Sequence, residues 1–171
     1  MTTIAYARGT MACDSAWGDT NDACQTLLTK VFRLSSGAVI GESGDNDSRH
    51  VRLLLDKVKT FDKMPLAPEL AALKVEMTAL IAFPNGEVAM LNIDYDKARN
   101  EWTAGVWKVN RGYATCGSGG QFALGMLGAK RSAREAVEFA CLHDPFSRGP
   151  VHTMVVRQPR AKPKANRKAT K

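Results

Sequence analysis

The order of the predicted elements indicates an α+β protein with antiparallel sheets. Short strands come in hairpin pairs, the clearest of them joined by Pro84-Asn85-Gly86, and strand–helix–strand crossover units are not apparent. Asn-Gly supplies the positive φ values that tight hairpin turns require. Helical periodicity occurs in two separate regions, one in the middle of the chain and one shortly before its last strand. Hairpins alternating with helices in this way favour α+β over a doubly wound fold.

The first half of the chain predicts two hairpins followed by helices. Each pair of strands flanks a turn that contains glycine, at Gly9 in the first hairpin and Gly37 in the second. Apolar residues at helical spacing predict the longer helix, with Asp45 or Asp47 placed to cap it. The predicted elements are strands 3–7 and 10–13, strands 30–34 and 38–41, a helix at about 46–62 and a shorter helix at about 69–73.

The second half predicts one further hairpin, two helices and a last strand. Strand-like sequence continues after the hairpin to about residue 114, and Gly117-Ser118-Gly119-Gly120 marks the boundary to the helices. Ser132 is a candidate N-cap, with Glu135 three residues later as its capping-box partner. The predicted elements are strands 78–83 and 87–93, helices at about 120–127 and 133–142, and a strand at 151–156.

Charge divides the chain into a body and a tail. The 171 residues carry a net charge of +7, from 24 Lys and Arg against 17 Asp and Glu. Residues 157–171 hold seven of the basic residues and no acidic one, so residues 1–156 are neutral as a group. We expect residues 1–156 to form a single domain and the proline-containing tail to be disordered. Such a tail could make weak contacts with nucleic acid or another acidic partner, or act only to raise solubility.

The sequence predicts a cytoplasmic protein without a cofactor. Its first residues lack a basic stretch followed by an apolar one, and no apolar run approaches the ~18 residues of a membrane span. The four cysteines show no paired spacing with one another or ligand spacing with the histidines, so we expect reduced thiols and no metal site. A phosphate-binding loop of the ATPase type is also lacking.

The opening Met1-Thr2-Thr3 offers a nucleophile if the methionine is removed. A threonine at a free N-terminus carries the attacking hydroxyl together with an α-amine that can accept its proton. That amine has an ordinary pKa of about 7.7–8.0, so a useful fraction is unprotonated near neutral pH. The small side chain of Thr2 suits methionine removal, whereas a retained Met1 would make Thr2 an ordinary residue of the first strand.

Several short motifs, taken in order, resemble HslV and the β subunits of the proteasome. The motifs are the Thr-Thr-Ile opening, Asp14, Lys30-Val31, the Gly117-Ser118-Gly119-Gly120 turn and Asp144-Pro145-Phe146-Ser147-Arg148-Gly149. The last of them resembles the Asp-x-x-Ser-Gly-Gly element of the family, and the likeness is closer to short bacterial and phage-type members. The resemblance implies a four-layer αββα sandwich of two antiparallel sheets flanked by helices, the fold of the N-terminal-nucleophile hydrolases.

The same resemblance implies a threonine peptidase and roles for particular residues. Thr2 would be the nucleophile, with Asp14 and Lys30 as its ion-paired neighbours. The residues that would hold the N-terminal amine and a bound water are Ser118, Asp144 and Ser147. These residue types suit the chemistry, because a lysine ammonium stabilises a developing alkoxide and hydroxyls can both donate and accept protons. Taken singly, Asp14 is more typical of a turn and Lys30 of the surface, and Asp144 before Pro145 is compatible with a helix end.

Two positions depart from the family pattern. A glycine near the end of the second hairpin donates the oxyanion-hole N–H in the family, and Glu42 aligns with it here. If the register shifts by one residue, Gly41 takes that role. In a second interpretation the Glu42 carboxylate lines the substrate pocket, where it would favour Lys or Arg before the cleaved bond. Arg148 stands where the family usually has glycine, beside the loop that would bind the amine.

The resemblance also implies partners, and three rival functions stay open. Subunits would form homo-oligomeric stacked rings that hydrolyse unfolded protein or peptide, often with a separate ring ATPase. The first rival is an inactive ring-forming scaffold, which retention of Met1 would favour. The second is a nucleic-acid-associated protein whose salt-dependent binding is lost when residues 157–171 are deleted. The third is an amidase that acts on a small molecule through the same N-terminal chemistry.

Overall fold

The computed structural model describes residues 2–17, 26–44 and 48–156, which include eleven strands and four α-helices. The strands are β1 (Thr3–Ala7), β2 (Thr10–Cys13), β3 (Ala16–Trp17), β4 (Thr26–Leu27), β5 (Val31–Arg33), β6 (Val39–Gly44), β7 (Met77–Ala82), β8 (Val88–Asp96), β9 (Glu101–Lys108), β10 (Tyr113–Gly117) and β11 (His152–Val155). The helices are α1 (Arg49–Leu55), α2 (Ala67–Ala71), α3 (Gly120–Gly128) and α4 (Ala133–His143). The tail, residues 157–171, lies outside the described residues.

Two antiparallel sheets contain most of the strands. The N-terminal sheet has the strand order β10-β1-β2-β11, and the central sheet has the order β5-β6-β7-β8-β9. All three predicted hairpins are present, at β1–β2, β5–β6 and β7–β8. In the last of them Gly86 takes a φ of 90°, and Phe83 N–H donates to the Glu87 carbonyl at 2.9 Å across the Asn-Gly turn. The α+β prediction is therefore confirmed.

Alternate residues of each strand face different layers, and three apolar clusters result. Ile4 and Tyr6 of β1 pack between the two sheets, against Leu80 of the central sheet. Ala5 and Ala7 face α3 and α4, where small side chains let the helices lie close to the strands. The opposite face of the central sheet packs on α1 and α2. The layers are thus helix, sheet, sheet and helix, and the predicted αββα sandwich is confirmed.

The helices differ from the predictions mainly in length. Ser132 caps α4, and its reciprocal bonds with Glu135 form the predicted capping box. The predicted helix at 46–62 is too long, because α1 ends at Leu55. The Asp56 carbonyl accepts the Ser36 N–H at 2.9 Å, so the β5–β6 turn takes an acceptor that a continuing helix would use. The predicted caps Asp45 and Asp47 lie outside the described residues, and no helix within them is long and apolar enough to cross a bilayer.

Candidate active site at the start of the first strand

Thr2 directly precedes β1, at one end of the N-terminal sheet. Its neighbour Thr3 pairs with Gly117, so β1 and β10 begin and end together at this point. Gly117 has a φ of 89°, and a Cβ built on it would lie 1.9 Å from the Thr2 carbonyl oxygen. Only glycine therefore lets β10 approach Thr2 so closely. Thr2 is buried, with 4% of its surface exposed.

Asp14 follows β2 and is fully buried beside Thr2. Three backbone N–H groups donate to its carboxylate: that of Thr3 at 2.8 Å, that of Ala16 at 3.1 Å and that of Arg148 at 3.4 Å. The Lys30 ammonium adds contacts of 3.2 and 3.4 Å to the two oxygens. Both oxygens of Asp14 thus have donors, which offsets the cost of burying the charge.

Lys30 reaches this carboxylate from the other sheet. It precedes β5 at the edge of the central sheet, and only 8% of it is exposed. Its ammonium also donates to the Ala16 carbonyl, so Asp14 and the chain that follows it hold the lysine from two sides. A buried ammonium held in this way can stabilise negative charge that develops nearby.

A second carboxylate, that of Asp144, accepts hydrogen bonds from two hydroxyl groups beside Thr2. Its Oδ2 accepts hydrogen bonds from Ser118 Oγ at 2.8 Å and from Ser147 Oγ at 2.6 Å. Ser118 Oγ also donates to the Thr2 carbonyl at 3.4 Å, and Ser147 Oγ lies 2.5 Å from Thr3 Oγ1. The four side chains form a continuous polar network at the end of β1, one residue from the predicted nucleophile.

A tight turn after α4 builds this network. The Asp144 N–H donates to the Ala140 carbonyl and ends the helix, while the Asp144 carboxylate accepts the Phe146 N–H at 3.2 Å. The turn brings the Arg148 N–H to Asp14, although the Arg148 side chain turns back to the Pro145 carbonyl at 3.0 Å. The departure from glycine at this position therefore leaves the backbone contact with Asp14 in place.

No role was predicted for Thr3, which belongs to the network, or for Gly119, which lies against it. A Cβ on Gly119 would lie 2.1 Å from Thr3 Oγ1 and 3.0 Å from both Asp144 Oδ2 and Ser147 Oγ. The side chains of the network therefore leave no room for a Cβ at Gly119, and no larger residue fits. The paired threonines at the N-terminus and the Gly-Ser-Gly-Gly turn were the signals, but neither gives a contact without the register of β1 and β10.

Gly41 and Glu42 occupy opposite faces of β6. A Cβ on Gly41 would lie 2.6 Å from Ile4 Cγ2, so this residue faces the core between the sheets. The Glu42 N–H donates to the Lys30 carbonyl at 2.9 Å within the β5–β6 ladder. That N–H is therefore occupied, and the predicted role of Glu42 as the backbone donor of an oxyanion hole is unsupported.

The Glu42 side chain turns toward α1. One carboxylate oxygen, Oε2, accepts from Ser48 Oγ and from Arg52, each at 2.6 Å. The other, Oε1, is buried and has no hydrogen-bond partner in the described part of the chain. Burial raises the pKa of the Glu42 carboxyl, although Ser48 and Arg52 act in the opposite direction.

The thiols near the site are poor nucleophiles. Cys13, Cys116 and Cys141 are free, as expected, and Cys24 lies outside the described residues. Burial raises the pKa of Cys13 to about 11, that of Cys116 to about 12 and that of Cys141 to about 11. All three are therefore protonated near neutral pH, and a thiolate would be scarce.

The fold can be compared with solved structures, although no protein-family model and no curated protein sequence matches the chain. The crystal structure of HslV from Trypanosoma brucei is 21% identical, with a TM-score of 0.67, over 90% of this chain and 98% of that one. BPH of Thiobacillus denitrificans in complex with epoxomicin is 20% identical, with a TM-score of 0.59, over 91% of this chain and 98% of that one. Over nearly its whole length before the tail, this chain has an HslV-like fold.

Proposed function

We propose that the chain is a threonine-type peptidase that cleaves peptide bonds by acyl transfer to Thr2 after removal of Met1. The observation that carries the proposal is the position of Thr2 between two polar groups. The Asp14–Lys30 pair lies on one side, and the Ser118–Asp144 hydroxyl network lies on the other. BPH, which shares the fold, was solved with epoxomicin.

The residues divide the reaction between them. Thr2 Oγ attacks the carbonyl carbon, and the α-amine of Thr2 accepts the hydroxyl proton. Lys30 stabilises the developing negative charge, and Asp14 fixes its ammonium. The amine then gives the proton to the leaving nitrogen, so that the C–N bond breaks and an ester to Thr2 remains. Water activated by the same amine hydrolyses the ester, with Ser118 and Ser147 orienting the amine and the water.

The end of β6 offers a better oxyanion donor than Glu42. In an antiparallel strand, N–H groups two residues apart point to the same side. The Glu42 N–H points to Lys30, and the Gly44 N–H therefore points to the same side, beyond the first residue of β5. Gly44 has a φ of 133°, and a Cβ there would lie 2.4 Å from the Glu76 carbonyl oxygen. We assign the oxyanion role to Gly44, with Gly41 kept buried in the core.

The intact mass of the purified protein tests the proposal. We expect loss of Met1 and, after treatment with epoxomicin, a single adduct that maps to Thr2. Thr2→Ser keeps a hydroxyl and should still form the adduct, whereas Thr2→Ala should lose Met1 and form none. A full-length mass without an adduct would contradict the peptidase function and favour an inactive ring-forming scaffold.

Glu42 is the residue proposed to select the substrate side chain. A carboxylate in the pocket would favour Lys or Arg before the cleaved bond, but Arg52 already binds one of its oxygens. We therefore expect the preference for Lys and Arg to strengthen in Arg52→Met and to disappear in Glu42→Gln. A panel of fluorogenic peptides measures this preference. Selection of acidic or bulky apolar residues by the wild type and by Arg52→Met would contradict it.

We also propose that the subunits assemble into rings, as the fold suggests. Exposed apolar side chains lie on α3, in the last turn of α4 and just after it, where a second copy could cover them; they include Phe122, Leu124, Leu142 and Phe146. Native mass would give the number of subunits, and a monomer at micromolar concentration would contradict the proposal. A ring ATPase partner and a nucleic-acid contact through the basic tail remain proposals that rest on the fold and on the charge of residues 157–171.

A further inference from the structure

A row of polar side chains crosses the central sheet next to Thr2. Ser43 on β6 pairs with Thr78 on β7, which in turn pairs with Asn92 on β8. All three face the N-terminal sheet, because Val39, Leu80 and Met90, which share their faces of the strands, pack in the core between the sheets. The three polar residues are partly exposed, whereas Val39 and Leu80 on the same faces of β6 and β7 are buried.

The row begins at Thr2 and leads away from Lys30. Ser43 Oγ and the Thr2 carbonyl oxygen both lie close to the Cβ position of Gly117, at 3.3 and 1.9 Å. Above the central sheet, β2 lies over β5 and β6, and β10 lies over β6 and β7. Asp14 and Lys30 are therefore on one side of Thr2 and Gly117 on the other. Because β10 is the edge strand of its sheet, the row passes beneath it and emerges at β8.

The row also offers hydrogen-bond donors to a bound molecule. Thr78 Oγ1 donates to Asn92 Oδ1 at 2.7 Å, which fixes the amide and occupies its oxygen. The two N–H groups of that amide, like the Ser43 hydroxyl, have no hydrogen-bond partner among the described residues. An extended peptide presents backbone carbonyls, which are the acceptors that such donors need.

The chemistry at Thr2 decides which part of a substrate lies over the row. The α-amine must reach the leaving nitrogen to protonate it, and Ser118, which we propose to orient that amine, follows β10. The leaving half of the substrate therefore lies on the β10 side, and the acyl half lies on the Lys30 side. We infer that Ser43, Thr78 and Asn92 bind the residues that follow the cleaved bond, an inference that rests on the proposed peptidase function.

Two substrates that share one acyl half test the inference. A peptidyl aminocoumarin amide has no residue after the cleaved bond, whereas an internally quenched peptide continues for several residues. Thr78→Val and Asn92→Leu should each lower kcat/KM for the quenched peptide by about 3- to 10-fold, the effect of one hydrogen bond. Both variants should retain wild-type rates of epoxomicin adduct formation, and kcat/KM for the aminocoumarin amide should fall less than that for the quenched peptide, because the coumarin lacks the backbone carbonyls that the row binds.

Two further variants serve as controls. Thr78→Ser keeps the hydroxyl and should restore cleavage of the quenched peptide. Thr153→Val makes the same change as Thr78→Val at an exposed position of β11, and should alter neither substrate. Should Asn92→Leu fail to fold, Asn92→Asp removes the same N–H donors in nearly the same shape.

The outcomes separate the inference from the proposed function. Equal losses on both substrates, or no loss on either, would overturn the inference while leaving the peptidase function intact. A wild-type protein that forms no epoxomicin adduct and cleaves neither substrate would overturn the proposed function and the inference with it. Selective loss on the quenched peptide, rescued by Thr78→Ser, would support both.

Discussion

Two buried carboxylates, Asp14 and Glu42, lie on either side of Lys30 and are held in different ways. Asp14 has donors for both oxygens, and three of them are backbone N–H groups. Glu42 has two side-chain donors on one oxygen and none on the other within the described residues. The described residues thus supply hydrogen-bond donors to both oxygens of Asp14 but to only one oxygen of Glu42.

The difference indicates which of the two the fold itself fixes. Backbone donors stay in place whatever side chains surround them, so Asp14 is held by the meeting of β1, β2 and the turn at Arg148. Glu42 depends on Ser48 and Arg52, which other side chains could replace. We therefore expect Asp14 to be essential to the site. We expect substitutions at Glu42 to change substrate preference with only a small effect on stability.

The largest expected effect is that of Asp14→Asn. The amide would present an NH2 group to Lys30 or to the backbone donors, and would leave a buried ammonium without its counter-ion. We expect the free energy of unfolding to fall by about 3–5 kcal/mol, as for other broken buried pairs, and the epoxomicin adduct to disappear. Denaturant unfolding and intact mass measure the two effects.

An exposed acid on the same fold provides the control. Asp94→Asn makes the same chemical change at an exposed position of β8, and should change the free energy of unfolding by less than about 0.5 kcal/mol. If Asp14→Asn behaved like Asp94→Asn, the carboxylate would have no special role in holding Lys30.

A smaller effect, with a pH dependence of its own, is expected for Arg52→Met. The change removes the ion pair with Glu42 and the contact of the guanidinium with the Phe32 ring at 4.0 Å. A buried carboxylate left with Ser48 alone should reduce the free energy of unfolding by about 1–3 kcal/mol near pH 7. The loss should shrink as the pH falls toward the ordinary glutamate pKa of about 4.3, because protonation removes the unpaired charge.

Arg49→Met is the matched control for Arg52→Met, because it makes the same change on α1 away from Glu42. Arg49 is exposed on the same helix, so its replacement should have little effect at any pH. A loss in Arg52→Met that is equal at pH 4.5 and pH 7 would show that packing on Phe32, not the pairing with Glu42, accounts for the change.

The comparison also shows how far the sequence can be read. The hairpins and the capping box followed from turn residues and short spacings, because such contacts are local in the chain. The group around Thr2 was found only through ordered motifs, since Asp14 and Ser147 meet through Thr3 and come from distant parts of the chain. Whether those residues act as proposed stays a prediction.

Contacts that depend on register or on helix ends could not be read from the sequence. Arg52 is ten residues from Glu42, and their pairing requires that α1 lie across β6 and begin after Ser48. The length of α1 in turn depends on the Asp56 carbonyl, which the β5–β6 turn occupies. The row of Ser43, Thr78 and Asn92 exists only because the register between β6 and β7 and the register between β7 and β8 place the three residues opposite one another.

The smallest effect, and the sharpest test of the contrast, is expected for Glu42→Gln. Burial raises the pKa of the Glu42 carboxyl in the folded state, so the carboxyl binds a proton more tightly in the folded protein than in the unfolded one. Its contribution to stability is complete below about pH 4.3 and is lost as the pH rises through the folded-state pKa. Glutamine does not ionise, so the free energy of unfolding of the variant should rise relative to that of the wild type between pH 4 and pH 7. At neutral pH the two should differ by about 1 kcal/mol or less. Unfolding curves at several pH values measure the trend, and a variant that instead lost ground as the pH rose would mean that Arg52 and Ser48 hold the Glu42 carboxylate as firmly as the backbone holds Asp14.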